Sequence, residues 1–199
     1  MIGIVDYGVG NLRNVQAALE RLDCDGVISD DVNKLEKSRS IILPGVGAFG
    51  DSIDMLNKTR MRDFVDSWVS RGNLILGICV GMQMLFERSF EFGEHKGLGY
   101  LEGDVKQFSS ETLKVPHMGW NELNLVEESL LTKDIKNGEY VYFVHSFYAD
   151  IKGKDLLAYV DYGVKVPAIV GRDNIFGVQF HPEKSALTGA KILKSFVEM

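Results

Sequence analysis

The chain is poor in the features that mark secreted and nucleic-acid-binding proteins. It has 2 cysteines in 199 residues, Cys24 and Cys79, and they stand in unlike sequence contexts, so we expect free thiols. Its 22 lysines and arginines are outnumbered by 28 aspartates and glutamates. The net charge of −6 leaves no broad basic surface for binding phosphate backbones, so nucleic acid is not expected as a partner.

Long hydrophobic runs are also missing. The longest nearly apolar stretch, residues 74–86, contains Gln83 and falls short of the roughly 20 residues that a membrane-spanning helix needs. The chain opens with Met-Ile-Gly-Ile-Val-Asp, without a basic segment or a small-residue cleavage site, so no export signal is expected. We predict a cytoplasmic protein, 45% hydrophobic, that forms one domain over residues 1–199.

The first half of the chain alternates strand-like and helix-like segments. Residues 2–5, 40–43 and 74–78 are short and rich in β-branched and aliphatic side chains. Asn11 stands where it can cap a helix, after which apolar residues recur every three or four positions, and residues 64–69 show similar spacing. This alternation predicts an α/β fold with a mixed, mostly parallel central sheet and helices on both faces.

The second half is rich in strand-like segments. They lie close together, are separated by turn signals, and comprise residues 141–148, 156–162, 168–170 and 175–180. Their spacing predicts an antiparallel C-terminal part. A final helix over residues 186–197 follows from the spacing of its apolar residues.

The segment Gly77-Ile78-Cys79-Val80-Gly81 places a cysteine on the turn between a predicted buried strand and a predicted helix. A nucleophile on so sharp a turn needs glycine on each side, because larger side chains would collide. The turn points the sulfur at the amino end of the helix, where free amides favour the thiolate, and the Val80 amide is placed to donate to an oxyanion. An isolated cysteine is more often a small buried residue, but the paired glycines favour a catalytic one.

His181 is the best candidate for a partner of Cys79. The histidines of the chain are His95, His117, His145 and His181. His181 follows the predicted strand 175–180, and Glu183 lies two residues further on, where its carboxylate can orient the imidazole. A His-x-Glu pattern alone also fits a surface histidine or a metal ligand. Because no second pair of spaced ligands accompanies it, we predict no metal site.

The segment Gly45-Val46-Gly47-Ala48-Phe49-Gly50 formally matches the dinucleotide-binding pattern. We reject that interpretation because Pro44 stiffens the strand exit and no clear strand-end acid follows at the ribose-binding distance. A glycine-rich loop at a neighbouring strand end can instead present the amides of Val46 and Gly47 to an oxyanion. The alternative is a tight turn with no chemistry. In either case we predict no cofactor.

Three of these segments together resemble the signature motifs of class I glutamine amidotransferases, whose fold is flavodoxin-like. They are Pro44-Gly45-Val46-Gly47, Gly77-Ile78-Cys79-Val80-Gly81-Met82-Gln83 and Gln179-Phe180-His181-Pro182-Glu183-Lys184-Ser185. Other segments resemble the glutaminase subunits of imidazole glycerol phosphate synthases. These are Asp6-Tyr7-Gly8-Val9-Gly10-Asn11-Leu12, Val115-Pro116-His117-Met118-Gly119-Trp120-Asn121 and Phe143-Val144-His145-Ser146.

The resemblance implies a role for each matching residue. Cys79 attacks the side-chain amide of glutamine, His181 carries a proton to the leaving ammonia, and Glu183 orients His181. Residues that match glutamine-binding positions are Gln83, Glu91, His145, Ser146 and Phe147. Residues that match positions facing a partner are Asn11, Asn14, Trp120, Tyr142 and Lys184. Without the resemblance, Gln83 would be an ordinary helix residue and Glu91 a solvated loop acid.

The partner implied by the resemblance is a (βα)8 cyclase, bound as a heterodimer, that uses the ammonia in histidine biosynthesis. A paralogous synthase for the amidation of surface sugars would need the same chemistry. The glutaminase of pyridoxal phosphate synthase fits less well, because a Gly-Gly-Glu-Ser loop is typical there. A catalytically silent regulatory subunit is the alternative from another class, and the intact set of Cys79, His181 and Glu183 argues against it.

Overall fold

The structure, a computed structural model, describes residues 1–108 and 113–199. Its strands are β1 (Ile2–Val5), β2 (Gly26–Ser29), β3 (Ser40–Gly45), β4 (Ile75–Cys79), β5 (Phe86–Ser89), β6 (His95–Lys96), β7 (Leu101–Gln107), β8 (His117–Glu122), β9 (Asn124–Leu125), β10 (Tyr140–His145), β11 (Phe147–Ile151), β12 (Leu156–Asp161), β13 (Lys165–Arg172) and β14 (Ile175–Val178). Its helices are α1 (Leu12–Glu20), α2 (Val32–Leu35), α3 (Phe49–Lys58), α4 (Met61–Ser70), α5 (Val80–Met84) and α6 (Ala186–Glu198), with a 3-10 turn over Pro182–Lys184.

The predicted α/β fold is confirmed. The main sheet has the strand order β2-β1-β3-β4-β14-β13-β12-β9. The pairs from β2 through β14 are parallel, and those from β14 through β9 are antiparallel. The antiparallel C-terminal part is thus confirmed too. Two smaller sheets pair β10 with β8 and join β11, β7, β5 and β6.

The helices cover both faces of the parallel part of the sheet. Strand β2 lies on one side of β1 in the sheet, and β3 lies on the other side. The connections that lead to these strands therefore run in opposite directions across the sheet. Because such connections are right-handed, their helices lie on opposite faces. In agreement, α1 contacts α6, whereas α3 contacts α4 and α5. Strands β1, β3, β4 and β14 are buried along their whole length, which explains their unbroken apolar runs.

Two expectations about local structure need correction. Asn11 occupies the position before α1, but its side chain makes no capping hydrogen bond there. Residues 141–148 do not form one strand, because the chain leaves the β8–β10 sheet at Ser146 and joins β7 as β11. In the run Tyr-Val-Tyr-Phe-Val-His-Ser-Phe-Tyr, Ser146 is the one residue that is common in turns, and a single serine is too weak a signal to predict a change of sheet. Among the described residues, no helix is long and apolar enough to cross a membrane.

Candidate active site

Cys79 lies on a sharp bend at the carboxyl end of β4, next to Gly45 of β3. Its φ of 56° is in a region that non-glycine residues seldom adopt, so the bend is strained as functional sites often are. A Cβ on Gly81 would lie 1.9 Å from the Leu43 carbonyl oxygen, and one on Gly77 would lie 2.7 Å from the Gly81 oxygen. The glycines on both sides of Cys79 are therefore required by close backbone contacts, as predicted.

His181 reaches the same end of the sheet because β14 pairs in parallel with β4. Val178 is the register partner of Ile78, and the chain continues past the strand end to His181. The His181 N–H donates to the Tyr142 carbonyl at 3.1 Å, and the Ser185 hydroxyl donates to the His181 carbonyl at 2.7 Å. The backbone around His181 is thus held by β10 and by the start of α6.

The side chain of His181 lies between a carboxylate and a sulfur. Its Nδ1 donates to Oε1 of Glu183 at 2.9 Å, which leaves Nε2 for Cys79. Burial by itself lowers the pKa of His181, but hydrogen bonds and charge interactions with Cys79 and Glu183 outweigh it and raise the pKa to about 10. His181 is therefore protonated at neutral pH and places a positive charge beside the sulfur of Cys79.

A cavity of about 240 Å³ opens at this end of the sheet, a size suited to a small ligand. Its lining is Asn11, Val46, Gly47, Cys79, Val80, Gln83, Glu91, Val144, His145, Ser146, Phe147, His181 and Lys184. Most of the predicted site residues thus share one cavity. Glu183 lies behind His181, and Asn14, Trp120 and Tyr142 lie outside the lining.

Gln83 and Glu91 are both held by hydrogen bonds inside the protein. The Gln83 NH2 group donates to the Phe147 carbonyl at 2.9 Å and to Oε1 of Gln179 at 3.0 Å. Both of its N–H bonds are then used, so only the oxygen of the Gln83 amide is left for a further hydrogen bond. One carboxylate oxygen of Glu91 accepts from the Phe49 N–H at 2.6 Å and caps α3, while the carboxylate borders the cavity.

His145 borders the cavity, but its ring is occupied elsewhere. Nδ1 donates to the Phe147 carbonyl at 2.8 Å, so Nε2 must accept the hydrogen bond from Nδ1 of His117 at 3.0 Å. Burial is the main reason why the pKa of His145 falls to about 3 and that of His117 to about 4. Both rings are neutral, and both ring nitrogens of His145 are already hydrogen-bonded inside the protein.

Tyr7 anchors the glycine-rich loop, a role that the sequence did not predict. Its hydroxyl donates to the Pro44 carbonyl at 2.6 Å, and burial raises the pKa of Tyr7, so the proton stays in place. The Ser52 hydroxyl contacts the Val46 carbonyl at 3.5 Å. The segment around Tyr7 contributes to the family resemblance, but no local pattern shows that the ring reaches a loop 37 residues away.

Of the residues predicted to face a partner, Asn11 and Lys184 line the cavity, and the other three lie outside its lining. Trp120 on β8 is 52% exposed, and its ring packs against Tyr142 of β10 with centroids 6.0 Å apart. Met118 and Tyr140 on the same pair of strands are also exposed. Asn14 is exposed on α1. Across residues 1–108 and 113–199, no cluster of His, Cys, Asp and Glu side chains is placed to hold a metal ion.

Comparisons of structure agree with this architecture. A solved structure described as a glutamine amidotransferase superposes with a TM-score of 0.78 at 20% identity, covering 99% of this chain and 97% of that one. The PurLQS structure from Thermotoga maritima gives a TM-score of 0.77 at 24% identity, with the same coverage of 99% and 97%. At these identities the likeness concerns the fold.

Comparisons of sequence also identify the family. The family described as "Glutamine amidotransferase class-I" matches residues 3–199. Proteins named "Imidazole glycerol phosphate synthase subunit HisH" from Caldanaerobacter subterraneus and Bacillus subtilis are 48% and 49% identical, covering 100% of this chain and 98% and 96% of theirs. That from Geobacillus kaustophilus is 50% identical over 99% of this chain and 96% of its own length. The chain, with its cysteine on a strained bend beside a charged histidine, therefore belongs to the class I glutamine amidotransferases. Within that family it belongs to the HisH subunits of imidazole glycerol phosphate synthase.

Proposed function

We propose that this chain is the glutaminase subunit of an imidazole glycerol phosphate synthase. It hydrolyses glutamine and delivers ammonia to a (βα)8 cyclase partner, as a heterodimer in the cytoplasm, for histidine biosynthesis. The observation that carries the proposal is that Cys79 and His181 share one cavity, with Glu183 bonded to the far nitrogen of the imidazole. The names of its relatives support the choice of synthase.

The proposed reaction proceeds through a thioester. The Cys79 thiolate attacks the side-chain carbonyl carbon of glutamine, and protonated His181 gives its proton to the nitrogen, which leaves as ammonia. Water then attacks the thioester while His181 takes a proton from it, and glutamate forms as the sulfur leaves as a thiolate. Glu183 keeps the imidazole oriented in both steps through the 2.9 Å hydrogen bond to Nδ1.

The tetrahedral oxyanion needs hydrogen-bond donors that are in place before the reaction. In our proposal these are the backbone amides of Val80, Val46 and Gly47, which all border the cavity. The anchoring of the Pro44 carbonyl by Tyr7 supports this role, because it holds the start of the glycine-rich loop against the site. The loop thus serves the oxyanion rather than a dinucleotide.

The polar groups of glutamine have matching partners in the cavity. In our proposal Glu91 binds the ammonium group, because its carboxylate borders the cavity and is held in place by the Phe49 N–H. The strand edge of His145, Ser146 and Phe147 binds the carboxylate. Gln83 contributes its side-chain oxygen, which accepts from a substrate N–H because its own N–H bonds are used.

The exposed face of β8 and β10 is the proposed docking surface for the cyclase. Met118, Trp120 and Tyr140 are exposed there, and large aromatic residues are common anchors of protein interfaces. Val144 on β10 belongs to the cavity lining, as do Asn11 and Lys184, so the apolar face adjoins the cavity mouth. A partner bound at this face would receive ammonia directly. Asn14 and Tyr142 extend the proposed contact.

Growth complementation tests the proposed pathway. In a bacterial strain that lacks its own glutaminase subunit but keeps the cyclase, this chain should restore growth without histidine. Cys79→Ser should fail, because a serine hydroxyl is a far weaker nucleophile than a thiolate in this site.

Equal rescue by Cys79→Ser would contradict the proposed chemistry. Glutamine hydrolysis by the purified chain without growth rescue would instead indicate a paralogous synthase, such as one that amidates surface sugars.

A further inference from the structure

Gln179 lies beside Cys79 because of the register between β14 and β4. Val178 is the partner of Ile78 in this parallel pair, so the next residue after β14 stands next to the last residue of β4. The Gln179 N–H is bonded to the Ala168 carbonyl of β13, and its side chain is fully buried. The sheet itself therefore holds the Gln179 amide at the sulfur.

The orientation of that amide follows from a carbonyl oxygen further along the hydrogen-bond chain. The Phe147 carbonyl can only accept, so Gln83 turns its NH2 group toward it and toward Oε1 of Gln179. Rotating the Gln179 amide by half a turn would bring two NH2 groups together. The Gln179 NH2 group must therefore face Sγ of Cys79, and the nitrogen and sulfur are 3.8 Å apart.

We propose that Gln179 is a further catalytic residue, whose side-chain N–H donates to the Cys79 thiolate. The inference rests on the proposed function, in which that thiolate is the nucleophile. Hydrogen bonds to an anion are stronger than those to a neutral group, so Gln179 favours the thiolate over the thiol. Together with His181, it holds the sulfur from two sides and fixes the direction from which it attacks.

Two substitutions separate donation to the sulfur from packing. Gln179→Met keeps the approximate volume and removes both donor and acceptor. Gln179→Glu keeps an acceptor for Gln83 but turns a charged oxygen toward the sulfur. The readout is the rate at which iodoacetamide alkylates Cys79 as a function of pH, followed by mass spectrometry of the full-length chain.

Both variants should need a higher pH to react, and Gln179→Glu should be shifted further. On the acidic limb of the profile, where the thiol still predominates, we expect alkylation about tenfold slower than in the wild-type chain, with equal rates on the alkaline plateau. If Gln179 served only to accept the hydrogen bond from Gln83, then Gln179→Glu would keep that bond and would be the milder variant. That result would overturn the proposal. The matched control Gln16→Met removes an amide that donates to the Gly26 carbonyl outside the site, and it should leave the profile unchanged.

Circular dichroism verifies that each variant is folded, and Gln179→Glu supplies the test if Gln179→Met does not fold. Unchanged pH profiles in folded variants would overturn the role of Gln179. The proposed function would still stand in that case if the wild-type chain hydrolyses glutamine. A wild-type chain that neither hydrolyses glutamine with its partner nor reacts selectively at Cys79 would overturn both.

Discussion

The charge on His181 depends on the two groups that flank its ring. Burial disfavours the imidazolium ion, so the proton is kept only because the sulfur and the Glu183 carboxylate accept hydrogen bonds from the ring. In the proposed reaction this proton is transferred to the amide nitrogen of glutamine, which then leaves as ammonia. At the scale of single residues, Glu183 is therefore expected to control both the charge and the tautomer of His181.

Replacing Glu183 by glutamine tests this dependence. Glu183→Gln should lower the pKa of His181 from about 10, because the negative charge beside Nδ1 is lost. Glutaminase kcat should fall by at least about 100-fold, since a carboxamide can also donate to Nδ1 and select the wrong tautomer. NMR titration of the His181 ring, together with steady-state kinetics, measures both effects.

Glu198→Gln is the matched control, because Glu198 is paired with Lys133 at the far end of α6. It should leave the His181 titration and kcat unchanged. A His181 pKa that stays near 10 in Glu183→Gln would contradict the role assigned to the carboxylate.

At the scale of secondary-structure elements, the bend between β4 and α5 depends on glycine. Gly81→Ala would bring a methyl group to within 1.9 Å of the Leu43 carbonyl oxygen, which belongs to β3 and has little freedom to move. We expect the free energy of unfolding to fall by about 3 kcal/mol or more. Urea denaturation followed by circular dichroism measures the change.

Gly153→Ala serves as the control for this prediction. Its methyl group would meet the carboxylate of Asp155 at 3.3 Å, a side-chain contact rather than a backbone one. The expected loss is within about 1 kcal/mol. Equal losses in the two variants would contradict the argument from close backbone contact.

Local sequence patterns predicted the elements that carry the chemistry. The bend at Cys79 and the His181-Pro182-Glu183 segment are both local, so glycine spacing and a neighbouring carboxylate were enough to identify them. The parallel strands were visible as unbroken apolar runs because both of their faces are covered. The change of sheet at Ser146 was invisible, because it depends on which distant strands β10 and β11 join.

The other site residues needed information that no local pattern contains. Gln83 and Glu91 were identified only through the family resemblance. Gln179 meets a sulfur 100 residues away, and His117 meets a ring 28 residues away. Such contacts follow from strand register, which is set when the sheet forms and cannot be derived from either segment alone.

For the molecule as a whole, three buried histidines make stability depend on pH in opposite directions. In the unfolded chain each has a pKa near 6.5. The pKa values of His117 and His145 are lowered to about 4 and about 3, so below about pH 6.5 the unfolded chain binds protons that the folded chain does not. Their contribution to stability is therefore lost as the pH falls.

His181 affects the stability of the folded chain at alkaline pH. Its folded pKa is raised to about 10, so its contribution is fully present below about pH 6.5 and is lost as the pH rises toward about 10. These three residues together favour maximal stability near pH 6.5.

Substitution of His117 tests the acidic part of this profile. His117→Gln should reduce the loss of unfolding free energy between about pH 6.5 and about pH 5 by up to about 1.4 kcal/mol per pH unit. His95→Gln removes a histidine outside this pair and serves as the control. Urea denaturation at several pH values measures the slopes. A slope in His117→Gln equal to that of the wild-type chain would contradict the assignment of a neutral buried ring.

The site at which a substrate-like electrophile reacts shows directly whether Cys79 is the nucleophile. The chain is incubated with a glutamine-derived diazo ketone, with and without its cyclase partner, and is analysed by mass spectrometry after proteolysis. We expect one adduct, on Cys79, that excess glutamine prevents and that leaves the partly exposed Cys24 free. Modification spread over other residues, or none even with the partner present, would contradict it.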